Sequence, residues 1–343
     1  MNLKELGFNH HFEEKFKQIK KESNWQPGRI AAEYKGMYKI LSKKGKYLGE
    51  ISGKMRFNEE YPAVGDWVVF AEMDAERAII YSLLTRQNKF SRTAAGKTGK
   101  EQLIAANIDL IFIVTSFNND FNIKRLERYL TLVNSSGAEA IIVVNKIDLA
   151  ENVKEKLKEL DRFKNKNKII TVSALTGNNM EKIRDKINQN KTAAFLGSSG
   201  VGKSTIINYL LKNNVQEVRS IREDDSRGRH TTTNREMFIL KDRGILIDTP
   251  GMREIQLLED ESGLKETFSV IEKLALHCKF SDCQHQSEPG CAVKSALAEG
   301  EIEKSQLDNY FKLQREIKYR QIKQEKSVGA MEKYKIDQML KGN

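Results

Sequence analysis

Residues 197–204 read Gly-Ser-Ser-Gly-Val-Gly-Lys-Ser and match the pattern G-x-x-x-x-G-K-[ST] at every position. The chemistry of such a loop is phosphate binding. Gly197, Gly200 and Gly202 let backbone N–H groups turn inward without a Cβ clash, so the amides of Ser198, Ser199 and Val201 join theirs around an anion. The start of the following helix adds the positive end of its dipole. Lys203 is placed to reach the β- and γ-phosphates, and the Ser204 hydroxyl to bind Mg²⁺, with Thr205 in the same turn. A second segment, Ile-Leu-Ile-Asp-Thr-Pro-Gly over 245–251, supplies Asp248 to hold Mg²⁺ through water and the Gly251 N–H to sense a γ-phosphate. Alone, Asp-x-x-Gly is equally a turn; beside a phosphate loop it is a site.

Asn145-Lys146-Ile147-Asp148 carries the base specificity. An acceptor-only carboxylate at Asp148 suits the paired N1–H and N2–H donors of guanine, which adenine lacks. Lys146 is expected across the base plane, and Asn145 is expected to tie its loop to the phosphate loop. One strand later, Ser173-Ala174-Leu175 offers a backbone N–H to guanine O6. These base-reading residues precede the phosphate loop in the chain. The usual order of these motifs is the reverse, which points to a circularly permuted GTPase. Gly96-Lys97-Thr98 imitates the end of a phosphate loop, but it lacks the first glycine and a preceding strand.

Between the phosphate loop and Asp248 lies the switch-like run Ser226-Arg227-Gly228-Arg229-His230-Thr231-Thr232-Thr233. One threonine there completes the Mg²⁺ shell, and Thr232 is assigned that role; a mobile polar loop is the bland alternative. Many GTPases align the attacking water with a glutamine just after Asp-x-x-Gly. Here that residue is Met252, which cannot accept a proton, so intrinsic hydrolysis is expected to be slow. His230 is a candidate catalytic group, with a structural switch role as its alternative.

All three cysteines fall within residues 278–291. Cys278, Cys283, His285 and Cys291 supply three thiolates and an imidazole, a complete tetrahedral set for structural Zn²⁺ with no position left for catalysis. An odd cysteine number beside histidine argues for metal rather than disulfides. A reduced, unliganded cluster is the alternative. His277 competes with His285, but it abuts Cys278 and would strain the chelate.

These residues need elements to position them. Residues 1–27 fit a short helix or a loose arm. Over 28–88, apolar pieces at Arg29–Tyr34, Met37–Leu41, Tyr47–Ile51, Asp66–Phe70 and Ala78–Leu84 alternate with turn signals. Five short strands suggest a small β-barrel of the OB-fold kind. Lys35, Lys39, Lys43, Lys44, Lys46, Lys54 and Arg56 would decorate it, either as a nucleic-acid face or as a solvated surface. Residues 89–102 read as a polar linker. From Ile108 the pattern becomes α/β, with strands at Ile108–Thr115, Ala140–Val144, Lys168–Val172, Thr192–Leu196, Met237–Leu240 and Gly244–Ile247. Helices are expected over Arg125–Val133, Ala150–Phe163, Met180–Ile187 and Lys203–Leu211. Strands alternating with helices predict a mostly parallel sheet covered on both faces. After Glu266 the chain is helical, and Ile302–Gln324 places Lys312, Arg315, Lys318, Arg320 and Lys323 opposite its apolar side. The expected domains are an arm (1–27), a barrel (28–88), a permuted P-loop GTPase core (89–265) and a helical zinc-binding region (266–343).

The chain has 343 residues, 39% of them hydrophobic, and a formal net charge of +11. Residues 1–100 contain 19 Lys+Arg against 12 Asp+Glu, seven of the eleven surplus charges. Such an excess suggests a polyanionic partner, nucleic acid before an anionic membrane surface. Lys4 and Glu5 interrupt the start, no apolar stretch follows and no run is long enough to span a bilayer. No membrane partner is expected, and a cytosolic monomer is.

Together, Asn145–Asp148, Gly197–Ser204, Gly228–Thr233, Asp248–Gly251 and the run Cys278 to Val293 resemble the RsgA (YjeQ) family of circularly permuted small ribosomal subunit biogenesis GTPases. The resemblance implies an N-terminal OB-fold, a central GTPase and a C-terminal zinc domain. It also implies a late role in maturing the small (30S) subunit and its rRNA, with GTP hydrolysis stimulated by that subunit. An apolar residue at Met252 agrees with the family. The segment after Gly251 leads towards the cysteine run, so GTP is expected to alter the pose of the zinc module. Two other readings stand beside this one: an RNA-binding zinc protein with a regulatory or vestigial nucleotide site, and a P-loop kinase or metabolic ATPase. Asp148 argues against the second.

Overall fold

The computed structural model describes residues 2–19, 22–93, 101–118, 121–188, 190–212, 235–241, 244–248 and 260–341. The chain divides into two compact units, one of Met1–Tyr129 with Ser136–Leu258, the other of Leu130–Ser135 with Glu259–Asn343. None of the described helices is long and apolar enough to cross a membrane.

In the first unit, strands β1 (Gln26–Glu33), β2 (Tyr38–Ser42), β3 (Lys46–Ile51), β4 (Trp67–Glu72) and β5 (Arg77–Leu83) lie in the order β1-β2-β3-β5-β4, and β4 pairs back onto β1. The pairing closes a five-stranded barrel of the OB kind. β3 and β5 run parallel, and every other barrel pair is antiparallel. Ile30, Ile40, Val68, Phe70 and Ile80 fill its interior. The helix Gly53–Phe57 between β3 and β4 was not anticipated; Ser52 caps it and Met55 is its buried anchor. The N-terminal arm resolves as a helix over His10–Gln18, started by Asn9, whose side chain accepts from the Phe12 N–H. Phe8 and Phe12 pack against Trp67, with ring centroids 4.7 and 5.8 Å away.

The stretch expected to be a linker contains a hairpin instead. β6 (Lys89–Thr93) pairs antiparallel with β7 (Glu101–Ala106). Phe90 and Ile104 are buried, which is reason enough for the flanks to pair. The polar residues 94–100, including Gly96-Lys97-Thr98, lie outside the described residues.

The nucleotide core continues the barrel's sheet in the order β10-β9-β8-β11-β13-β12. Its strands are β8 (Leu110–Ser116), β9 (Glu139–Asn145), β10 (Lys168–Thr171), β11 (Thr192–Leu196), β12 (Glu236–Ile239) and β13 (Ile245–Asp248). The first five in that order run parallel, and β12 is antiparallel to β13. Phe112, Val143, Phe195 and Leu246 lie in one buried cluster, with Phe112 and Phe195 stacked at 5.0 Å. Each such side chain contributes about 2 kcal/mol by leaving water. The single helix expected over Ala150–Phe163 is broken into Val153–Lys158 and Asp161–Lys164. Asn152, in the left-handed region (φ 52°), precedes the first piece rather than continuing a helix.

In the second unit, helices Glu261–Thr267, Ser269–Ala275, Ala292–Glu299 and Lys304–Lys341 enclose Phe268, Ile271, Val293, Leu307 and Leu313. The last helix runs on well past Gln324.

Arg29 was not singled out by any motif, yet it is almost completely buried. Its guanidinium donates to the carbonyls of Gly65 (3.2 Å), Asn107 (3.1 Å) and Leu6, and to Thr192 Oγ1 (2.8 Å). Those acceptors belong to the arm, the barrel, the segment before β8 and the head of β11. Burial pushes its pKa down to about 10, so it is still charged at neutral pH. Removing a buried cation that makes four hydrogen bonds strands its acceptors. Arg29→Met is expected to destabilise the first unit by about 3 kcal/mol or more. Arg29→Lys should recover only part, because one ammonium cannot span four segments. Urea midpoints read this directly, and an unchanged midpoint for Arg29→Met would contradict it.

Candidate nucleotide and metal sites

β8, β9, β10, β11 and β13 are parallel, so their C-terminal ends open on the same edge of the sheet. That edge is where open α/β sheets bind ligands. β11 ends at Leu196 and passes into Gly197, and the helix Lys203–Lys212 begins where the loop ends. The loop's glycines are structural necessities. Gly197 and Gly202 have φ of 153° and 97°; a Cβ on the first would strike the Val114 carbonyl, and on the second the Asn145 amide. Lys203 Nζ donates to the carbonyls of Gly197 and Ser198 at 2.6 Å each. Ser204 and Thr205 are exposed in the first turn of the helix.

Asn145 joins three loops. Buried at the end of β9, it donates from Nδ2 to the Val201 carbonyl (2.9 Å) and accepts at Oδ1 from the Ala174 N–H (3.0 Å). The tie to the phosphate loop is the one expected of this residue. The tie to Ala174 was not expected, and it engages one of the amides considered for guanine O6. Lys146 follows in the left-handed region (φ 61°), and a short 3-10 turn, Ile147–Leu149, presents Asp148 to solvent. Ser173 is buried; its N–H donates to the Asn178 carbonyl, and its hydroxyl accepts from the Thr176 N–H at 3.3 Å. Asp248 ends β13, the strand next to β11. The sheet thus brings the phosphate loop, the Asn145–Asp148 loop and the Ser173–Ala174 turn together, with Asp248 one strand over. His230, Thr232, Gly251 and Met252 lie outside the described residues.

In the second unit, the ligand atoms of Cys278, Cys283, His285 and Cys291 all lie within 4.8 Å of one another. Cys278 and Cys291 Sγ are 3.9 Å apart, and His285 Nδ1 is 3.5 Å from each. A tetrahedron with Zn–S bonds of about 2.3 Å has edges near 3.8 Å, so the donor set fits zinc through Nδ1. The loop between the ligands is folded around Glu288, which accepts the N–H groups of Gln284, Gln286 and Ser287; these hold its carboxyl down to about 2. His285 itself takes a left-handed φ of 59°. Burial lowers its pKa, which favours the neutral, metal-binding imidazole. Burial tends to raise the Cys278 thiol, but the amides of Val293 and Ala292, at the start of the helix Ala292–Glu299, hold it below its ordinary value. His277 is exposed and outside the cluster.

Of the barrel's candidate basic residues, Lys35, Lys43, Lys44, Lys46, Lys54 and Arg56 are exposed. Lys39 is not part of that surface. Its side chain is only 15% exposed and pairs with Glu236 at 3.5 Å.

Comparison with known proteins supplies the family. Residues 83–258 match the family model described as RsgA GTPase. A small ribosomal subunit biogenesis GTPase RsgA 2 of Vibrio parahaemolyticus is 43% identical, over 92% of this chain and 85% of that protein. The RsgA of Methanosarcina acetivorans is 42% identical, over 91% and 85%. The crystal structure of YjeQ from Thermotoga maritima superposes with a TM-score of 0.66 at 25% identity, covering 85% of this chain and 98% of that one. YloQ, described as a circularly permuted GTPase, gives 0.64, covering 88% and 99%. With its strands in permuted order, its phosphate loop tied to the Asn145 loop and these relatives along most of its length, the chain belongs to the RsgA GTPase family.

Proposed function

We propose that this protein hydrolyses GTP to GDP and phosphate as an assembly factor of the small ribosomal subunit, and that bound subunit accelerates the reaction. The observation that carries the reading is the Asn145 clamp, which ties the loop bearing Asp148 to the phosphate loop. Asp148 selects guanine through N1–H and N2–H, while Lys146 covers the base. Because the Ala174 N–H already serves Asn145, guanine O6 takes a shared bond from it or a bond from the next amide. The amides of Ser198 to Ser204 and the Lys203 ammonium hold the β- and γ-phosphates; to do so, Lys203 leaves the carbonyls of Gly197 and Ser198.

The oxygen donors Ser204 and Asp248, with Thr232, form a hard set that suits Mg²⁺. That ion neutralises charge on the phosphates when bound. Met252 leaves no acceptor after Asp-x-x-Gly, so His230 or a group from the subunit orients the water. Cys278, Cys283, His285 and Cys291 hold one structural Zn²⁺.

The exposed barrel lysines, within a chain of net charge +11, suit rRNA. We assign residues 28–88 to ribosome binding, 89–265 to the GTPase and 266–343 to the zinc region, and infer a cytoplasmic monomer. The names of the relatives support the partner.

Two measurements test this. GTP turnover by the full chain should be slow alone and rise at least about tenfold with purified small subunits; equal rates would count against the function. Cys291→Ser should lose the single zinc equivalent and lower the helical content and melting temperature, since structural zinc contributes on the order of 10 kcal/mol of local folding free energy. Metal analysis with circular dichroism checks it, and retention of stoichiometric zinc would refute the ligand assignment.

A further inference from the structure

Among the described residues, the barrel and the nucleotide core share one sheet through the pairing of β1 with β12 at Ala32 and Glu236. Those two residues belong to a longer line. The β1–β2 register sets Lys39 opposite Ala32, and the β12–β13 register sets Asp248 opposite Glu236. Lys39, Ala32, Glu236 and Asp248 thus form one row across four adjacent strands. Residues paired in this way lie on the same face of the sheet. Ala32 is buried and small, and it lets Lys39 reach over it to Glu236, with Nζ 3.5 Å from Oε1. The two side chains are 15% and 28% exposed, so the pair is better shielded than ordinary surface bridges. The residue before Glu236 is anchored too: Arg235 Nη1 donates to the Leu103 carbonyl of β7 at 3.0 Å.

β12 therefore lies between β1 of the barrel and the Asp248 strand, and the residue before it is tied to the hairpin. Two strand spacings, about 10 Å, separate Ala32 from Asp248. In the chain, only Asn234 and Arg235 separate β12 from the switch-like run 226–233.

We propose that this row couples the barrel to the nucleotide site, with Lys39 and Glu236 as positioning residues. Force on the barrel from bound RNA shifts β12 through the ion pair and the Ala32–Glu236 pairing. β12 carries the shift into the Asp248 strand. By reciprocity, whatever GTP does to the Asp248 strand changes the barrel's affinity for its partner by the same factor. The inference rests on the proposed function, because it needs a ligand on the barrel and a nucleotide at Asp248.

The test measures binding of the full chain to purified small subunits, once with a non-hydrolysable GTP analogue and once with GDP, and takes the ratio of the two Kd values. The wild-type ratio should be at least about fivefold. Lys39→Met and Glu236→Gln should each bring it to within about twofold of one, and the double variant Lys39→Glu/Glu236→Lys should restore it. A general loss of stability would weaken both states together and leave the ratio alone. Single variants that fold and keep the wild-type ratio overturn the inference, as does a charge swap that folds and fails to restore it. Should the single variants fail to fold, the swap decides alone. A wild type that binds subunits equally with both nucleotides overturns the inference only; one that neither binds subunits nor is stimulated by them overturns the function as well.

Discussion

The side chain of Asn145 makes two hydrogen bonds, and the nucleotide site depends on both. One reaches the Val201 carbonyl in the phosphate loop and the other the Ala174 amide in the turn after β10. A carboxamide carries a donor and an acceptor on separate atoms, so it can bridge two loops at once. Buried, it cannot exchange either partner for water without cost. The loop bearing Asp148, the loop bearing Lys203 and the turn at Ser173 are thereby set at fixed separations, although they follow three different strands.

The geometry of the site places its demand on the sheet rather than on the order of the chain. Each loop needs its strand to end at the same edge of the sheet, beside the right neighbours. The order β10-β9-β8-β11-β13-β12 satisfies this wherever the chain begins. What permutation changes is which segments are tethered to the core. The barrel enters ahead of β8 and is fastened by Arg29 to the head of β11 and by Lys39 to β12. The helices around the Cys3His cluster come after β13. The order of the motifs thus places the barrel before the GTPase core and the unit with the Cys3His cluster after it.

Much of this was legible in the residues. The apolar runs gave the strands of both barrel and core within a few positions, since strands buried on both faces or alternating about a barrel leave a strong pattern. The phosphate-loop pattern, the Asn145–Asp148 run and the Cys3His cluster stand out in the residues because such chemistry restricts residue type and spacing together, and the structure gathers Cys278, Cys283, His285 and Cys291 as that spacing suggests. The failures have physical causes. Residues 89–102 look like a linker because the polar residues 94–100 outweigh in composition the short flanks that bury Phe90 and Ile104. Lys39 reads as a surface lysine, because only the register across Ala32 reveals its partner. Arg29 is invisible for the same reason; its acceptors lie at Leu6, Gly65, Asn107 and Thr192, and no local pattern links them. The Asn145–Ala174 bond joins two motifs that had each been identified separately.

The central claim is that Asp148, held in place by the Asn145 clamp, makes this a guanine-specific enzyme. The most direct measurement is nucleotide affinity of Asp148→Asn against wild type, by titration with GTP and with xanthosine triphosphate. Losing two charge-assisted hydrogen bonds should weaken GTP by on the order of a hundredfold. Xanthosine triphosphate, whose base offers an acceptor where guanine donates, should bind the variant better than it binds the wild type. Unchanged GTP affinity in the variant would contradict the account.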